Sequence, residues 1–389
     1  MKIVYCTDSI YQLGGIELVT IAKANALAAI PGNQVWIALA DNRFSAITRL
    51  KKVSIVDLAV HYYEHDGKGY WHDLKDLWEK RKQHRMRLER ILSDINPDVV
   101  ISTGKATRKF LYKLRLNSNP VFIRELHFSR HYASERARNW QTWIITKIGE
   151  IYDHSCIVKK YDKLVVLTEA EKSGSWAKWD KVVVIPNPLM NQENGHSTCV
   201  SKIAITAARL ADVKNYKSLI SIWARVIQHH PDWILQIWGE GSERGDLEKR
   251  IERLKLHNHV FLMGYTSEVQ EQMAKASLFV LTSRTEGFSL AAIEAMSVGI
   301  PAVVYNCPGG IRYVVKDGET GYLVPMDDED AFAEKVCTLI ENEDLRRTMG
   351  QAALKEVEQY RIENITQRWM DLFQELLDKK RGKRNDVVV

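Results

Sequence analysis

The chain has 389 residues, 45% hydrophobic and 27% charged, with a formal net charge of +6 and a pI near 8.8. This is the composition of a globular protein long enough for two cores, mildly basic in a way that suits phosphates or an anionic surface. Five scattered cysteines with no C-x-x-C pair exclude a disulfide framework or a structural zinc site, and no apolar run approaches the length of a membrane span.

The N-terminal "MKIVYCTD" begins a strand at 2–6, without the apolar run and small-residue cleavage site of a signal peptide, so a cytosolic chain is expected. "TDSIYQLGGIELVTIAKANALA" (7–28) then passes from a loop through Gly14 and Gly15 into an amphipathic helix. Free N–H groups at a helix start attract phosphate, and glycine lets a ligand approach the backbone. Taken alone, the stretch reads equally as a tight turn. Further strands are expected at 34–40, 98–102, 120–124, 163–168 and 181–187.

Residues 73–98 read as a helix. Leu74, Leu77 and Trp78 begin an apolar stripe that Leu88, Ile91, Leu92 and Ile95 resume, and Arg81, His84 and Arg85 interrupt it. Residues 79–90 hold six Lys/Arg against two Glu, a local net of +4. Such an interruption suits anionic lipid headgroups or a lipid-linked diphosphate, with Tyr70 and Trp71 at the interface. It suits equally a helix whose ends pack and whose middle is solvated.

A polar stretch with two prolines, 185–202, reads as a linker, after which the strand–helix rhythm restarts with strands at 202–208, 233–239, 260–264, 278–283, 301–306 and 321–325. Continuous apolar strands alternating with helices predict parallel sheets covered on both faces. Two such series predict an α/β protein of two Rossmann-like, doubly wound domains. The expected domains are 1–187 and 188–365, with an apolar stripe of Ile365, Trp369, Leu372, Phe373, Leu376 and Leu377 on a final helix at about 366–380.

In the second half, "ITAARLADVKNYKSLI" (205–220) delivers Arg209 and Lys214 in a loop between strand and helix, where both suit phosphate oxygens but are also ordinary loop cations. "LFVLTSRTEGFSLAAIEAMS" (278–297) carries Glu286 and Gly287 past a strand end, Ser289 as a candidate cap, and Glu294 in a mostly apolar helix. A carboxylate accepts hydrogen bonds from vicinal hydroxyls, so the two glutamates can hold two sugar rings. A buried Glu294 needs a partner.

Together these motifs resemble the retaining glycosyltransferases of the GT-B fold, family 4. The resemblance covers nearly the whole chain and also takes in "WGEGSERGDLEKRIERLKLHNHVFLMGY" and "DGETGYLVPMDDEDAFAEKV". It implies two domains facing a cleft, an N-terminal acceptor domain and a C-terminal donor domain, with the final helix crossing back to the first. Glu294 would hold the ribose of a nucleotide sugar and Glu286 the transferred sugar. Arg209 and Lys214 would neutralise the diphosphate, aided by Gly15 and the backbone near Phe288, Ser289 and Leu290. Met263, Gly264 and Tyr265 would cradle the base. A histidine near the anomeric carbon would be His127, with His131 as its competitor and Glu125 as an acceptor-side group. Where related members often read Cys-x-x-Gly-Pro, this chain has "CPGG", with Gly309 and Gly310.

The implied activity is metal-independent hexosyl or N-acetylhexosaminyl transfer, with UDP favoured over GDP as the carrier. The implied acceptor is a lipid-linked saccharide of capsule, exopolysaccharide or O-antigen synthesis, reached by peripheral membrane contact. A nucleotide-sugar 2-epimerase and a non-catalytic partner subunit of the same fold remain as alternatives. The absence of G-x-G-x-x-G argues against a dinucleotide oxidoreductase.

Overall fold

The computed structural model of the chain describes residues 1–8, 15–41, 49–62, 70–104, 106–127, 140–190 and 195–385, with the side chains of 70–74, 154 and 383–385 left aside. Gly14 and His131 lie outside the described residues. The chain divides into two compact units. Unit one comprises Met1–Leu167, Lys172–Pro188 and Ile362–Val389; unit two comprises Thr168–Glu171 and Leu189–Arg361.

Unit one is built on a seven-stranded sheet of order β3-β2-β1-β4-β5-β6-β7, in which every pairing is parallel. The strands are β1 (Lys2–Thr7), β2 (Gln34–Leu39), β3 (Val53–Asp57), β4 (Val99–Ser102), β5 (Val121–Glu125), β6 (Lys163–Val166) and β7 (Val182–Val184). Alternation along each strand sends neighbours to opposite faces. Ile3 and Tyr5 pack with Ile21, Ala24 and Leu27 of the helix Gly15–Ala29, whereas Val4 and Cys6 pack with Leu88 and Leu92 of the helix Tyr70–Ile95. The final helix, Ile362–Asn385, closes the first of these faces with Ile365, Trp369, Leu372, Phe373 and Leu376. Each fully buried side chain of this size contributes about 1.5–3 kcal/mol, which is why a C-terminal segment stays with the first unit. β3 was not expected from the sequence. It is an edge strand whose residues are partly buried or, at Ser54 and Asp57, exposed, so it lacks the continuous apolar run of its neighbours.

Unit two carries a six-stranded parallel sheet of order β10-β9-β8-β11-β12-β13. Its strands are β8 (Ile203–Ala207), β9 (Ile234–Trp238), β10 (Val260–Gly264), β11 (Leu278–Leu281), β12 (Ala302–Tyr305) and β13 (Gly321–Val324). Leu219, Ile220, Ile222, Trp223 and Val226 of the helix Tyr216–Val226 pack with Phe332, Val336 and Leu339 of the helix Glu329–Glu341. Asp328 caps the latter helix by accepting from the Ala331 amide.

Each sheet has one place where successive connections leave in opposite directions. In unit one it lies between β1 and β4, and in unit two between β8 and β11. Ligands of open parallel sheets bind outside the carboxyl ends of the strands at such a switch point.

Candidate functional site

The loops after β8 and β11 meet at the switch point of unit two. Lys214 Nζ donates to Glu286 Oε1 at 2.7 Å. Glu286 is 8% exposed, so its charge needs this partner. The Thr282 hydroxyl holds the Lys214 loop, bonding the carbonyls of Lys214 (3.2 Å) and Asn215 (3.1 Å), while the Arg284 amide donates to the Val213 carbonyl (2.8 Å). Asn215 turns the chain there in the left-handed conformation, with φ 52°. Arg209 stands exposed after β8 with no hydrogen bond or ion pair among the described residues.

Two close backbone approaches fix these loops. The Glu286 amide donates to the Pro308 carbonyl (3.2 Å), and the Gly310 amide donates to the Glu286 carbonyl (2.7 Å). A Cβ on Gly309, at φ +110°, would lie 1.9 Å from the Glu286 carbonyl oxygen, and one on Gly310 would lie 2.3 Å from that of Gly287. The two glycines let one loop press against the other. On the Arg209 side, a Cβ on Gly239 would meet the Ala208 carbonyl at 2.1 Å and one on Gly241 the Leu210 carbonyl at 2.2 Å. The doubled glycines of "CPGG" and "WGEG" were the visible signals. Their roles were not legible, because they depend on loops distant in sequence.

The helix Leu290–Ser297 begins where expected and Ser289 occupies its N-cap, but the Ser289 side chain makes no capping bond. That corrects the capping role; Ser289 is instead buried beside Phe288, which packs edge-on against Tyr360 with centroids 5.3 Å apart. Gly287 lies between Glu286 and this helix, and Leu290 is the first residue of the helix. Glu294, one turn further, is partly buried, and its carboxylate has no protein partner among the described residues. Burial pushes that carboxyl up to about 7. Met263 and Tyr265, 40% and 68% exposed, flank Gly264 (φ +82°) at the end of β10, where the pairing with β9 slips by a bulge.

Unit one gathers a second group. Glu125 ends β5, and Lys23 of the helix Gly15–Ala29 forms a buried ion pair with it. His127 Nε2 lies 3.4 Å from Glu125 Oε1, and among the described residues neither ring nitrogen has a hydrogen-bond partner. Burial pulls His127 down to about 4, so the ring is neutral near pH 7. Burial opposes the Glu125 charge, but Lys23 and His127 outweigh it and hold the carboxyl below its ordinary value. Lys23 was missed from sequence because it sits within an apolar helix pattern that reads as plain core. Gly15 is the first residue of that helix.

One expected surface residue is corrected. His84 is 1% exposed, bonds Tyr62 Oη through Nδ1 at 2.9 Å and packs against Phe110. Burial pulls it down to about 4. A neutral, enclosed imidazole cannot meet lipid headgroups. Arg81 is exposed, and Arg85 is partly buried, donating to the Lys113 carbonyl at 3.3 Å. Among the described residues, no group of three or more His, Cys, Asp or Glu side chains is placed to hold a metal ion, and no helix is long and apolar enough to cross a membrane.

Residues 198–356 match the family model of glycosyl transferases group 1. An uncharacterized glycosyltransferase of Haemophilus influenzae is 27% identical over 95% of this chain and 98% of its own length. The poly(glycerol-phosphate) alpha-glucosyltransferase of Bacillus subtilis is 31% identical over 48% of this chain, which spans only 29% of that relative. Among solved structures, a variant of Staphylococcus aureus TarM in complex with fondaparinux, alpha-GlcNAc-glycerol and UDP superposes with a TM-score of 0.74 at 16% identity, over 96% of this chain and 100% of that one. Residues 198–356 thus carry the glycosyl transferases group 1 match, and the two parallel-sheet units share the GT-B fold of the TarM structure.

Proposed function

We propose that the chain transfers a hexose or N-acetylhexosamine from a UDP-sugar to a saccharide acceptor with retention of configuration and without a metal. The observation that carries this reading is the Lys214–Glu286 pair at the switch point of unit two, whose loop after β8 also carries the exposed Arg209, without a bonded partner among the described residues. The cations suit a diphosphate, and the carboxylate suits sugar hydroxyls. In the reaction, the bond from the anomeric carbon to the diphosphate oxygen breaks and its electron pair leaves with the diphosphate. An acceptor hydroxyl oxygen bonds to that carbon on the same face, and its proton passes to the departing phosphate. Fixed cations stabilise the charge that develops on the leaving group.

Glu294, with no protein partner for its carboxylate, is suited to the ribose hydroxyls, and the exposed Met263 and Tyr265 to the base. Neutral His127, with both nitrogens unpartnered among the described residues, is suited to the donor sugar. The UDP in the TarM complex supports the choice of nucleotide. The test is UDP release from a UDP-sugar in the presence of chelator. The wild type is expected to turn over and Lys214→Met to lose at least about 100-fold.

The same reading makes the acceptor a lipid-linked saccharide of bacterial surface-polysaccharide synthesis, reached from the inner face of the membrane. Support for membrane contact comes from the helix Trp140–Tyr152 rather than from His84. Trp140, Ile145 and Ile148 are 70%, 69% and 62% exposed, and Trp143, Ile151 and Tyr152 are about half exposed. Monomers in water rarely expose so much contiguous apolar surface, and aromatic residues toward both ends suit an interfacial helix.

A further inference from the structure

The carboxyl edge of the unit-one sheet holds a pocket of about 600 Å³, and Arg81 and Arg85, whose sequence setting suited a lipid-linked diphosphate, are among its lining. It lies at the switch point between β1 and β4: Asp8 follows β1, and Ala106 to Phe110 follow β4. The helix Tyr70–Ile95 supplies another wall with Trp78, Arg81, Lys82 and Arg85. This is the position at which open parallel sheets take ligands.

Its charge is one-sided. Arg81, Lys82, Arg85, Arg108 and Lys109 all line it, against the single acid Asp8. The Asp8 carboxylate is engaged by the wall itself, accepting from the Ala106 amide at 3.1 Å. Arg108 leans on Asp153 at 3.5 Å, and Arg85 on the Lys113 carbonyl. Arg81 and Lys109 make no hydrogen bond or ion pair among the described residues. Burial, then Arg81 and Arg108, pull Lys109 below its ordinary value. Five cations against Asp8 and the Asp153 that Arg108 leans on leave an excess of positive charge that an anion relieves. Several guanidinium forks favour phosphate oxygens, and five cations exceed the charge that one carboxylate would balance. Trp78, 60% exposed, offers an apolar face to whatever the phosphate is attached to.

We propose that this pocket grips a phosphate or diphosphate group of the acceptor. The role as an acceptor site rests on the transferase reading; the anion site itself does not. A phosphate could belong to a lipid diphosphate or to a polyol-phosphate chain, and both present the same oxygens to Arg81 and Lys109.

The experiment titrates inorganic pyrophosphate into the full chain already saturated with UDP, which fills the nucleotide site. One further site is expected, weakened roughly 10- to 100-fold in the Arg81→Ala/Lys109→Ala double variant and unchanged in Lys214→Ala. Neither substituted cation has a bonded partner among the described residues, so the double variant should fold. No additional binding, or binding unchanged in the double variant, would overturn the proposal. If UDP does not bind at all, the transferase reading falls, while loss of pyrophosphate binding in the double variant still upholds the pocket. Repeating the titration with oligo(glycerol phosphate) and with detergent-dispersed polyprenyl diphosphate identifies the source by which affinity the double variant loses. If it loses neither, the acceptor role is wrong.

Discussion

Lys214 Nζ sits 2.7 Å from Glu286 Oε1, joining the loop after the first strand of unit two to the loop after its fourth. The pair lets a buried carboxylate and a cation stabilise each other. In the proposed reaction a diphosphate would draw the ammonium, and sugar hydroxyls would then satisfy the carboxylate. Lys214→Met should therefore lower turnover more than donor affinity. It should also cost about 1–3 kcal/mol of stability, because Glu286 is left buried with its charge unpaired. Urea denaturation with and without UDP measures both effects. Unchanged stability would mean that the pair is incidental.

Glu294 gives a pH signature. Its carboxyl stands at about 7 in the folded chain, above the ordinary 4.5. A raised folded value means that the unfolded chain ionises first, so this group erodes stability as pH climbs from about 4.5 to 7. Glu294→Gln should flatten that decline and leave the protein more stable at pH 8, by roughly 1–3 kcal/mol. If the ionised carboxylate receives ribose hydroxyls, UDP affinity should rise toward pH 7 in the wild type, with proton release on binding, and lose that dependence in the variant. Calorimetry in buffers of different ionisation enthalpy reads the proton directly.

Gly309 tests the backbone clamp. Its φ of +110° is strained for any other residue, and a Cβ would collide with the Glu286 carbonyl at 1.9 Å. Gly309→Ala should lower the melting temperature by several degrees, for a cost of about 1–3 kcal/mol, and slow turnover by displacing Glu286. Wild-type activity with a wild-type melting temperature would show that the two loops are independent.

Much of this site was legible from the sequence because strand ends deliver residues to known places. The strand rhythm put Arg209, Lys214 and Glu286 in the loops after two strands, where the structure also has them, while their roles toward a ligand came only from the resemblance. His84 was misread: its spacing from Leu77, Leu88 and Leu92 matched the buried stripe, but its cationic neighbours argued for solvent. Tyr62, the partner that makes an enclosed imidazole tolerable, comes from a different loop. The Lys23–Glu125 pair was hidden for the same reason, since its members lie 102 residues apart. β3 was hidden because edge strands need not be apolar on both faces.

The buried pair in unit one has its own consequence. Among the described residues, removing Lys23 takes away the cation paired with the enclosed Glu125 and leaves neutral His127 beside it. Lys23→Met should destabilise the chain by about 3–5 kcal/mol at pH 7, and less at low pH once Glu125 protonates. Because His127 stays neutral down to about pH 4, the wild-type rate should show no histidine inflection between pH 5 and 8. A pH–rate profile of donor turnover checks this.

Membrane contact should depend on the apolar helix. Ile145→Glu/Ile148→Glu should abolish co-sedimentation with anionic vesicles, and Arg81→Glu should reduce it less. Sedimentation unaffected by the paired isoleucine change would remove that helix from the interface.

The most direct test of the central claim is proton NMR of the anomeric signals while the chain acts on UDP-glucose and UDP-N-acetylglucosamine in EDTA, with a saccharide acceptor present. The account predicts loss of one donor signal, release of UDP and a product of unchanged anomeric configuration, all abolished in Lys214→Met. Conversion of the free nucleotide sugar without UDP release, an inverted product, or equal activity in the variant would contradict it.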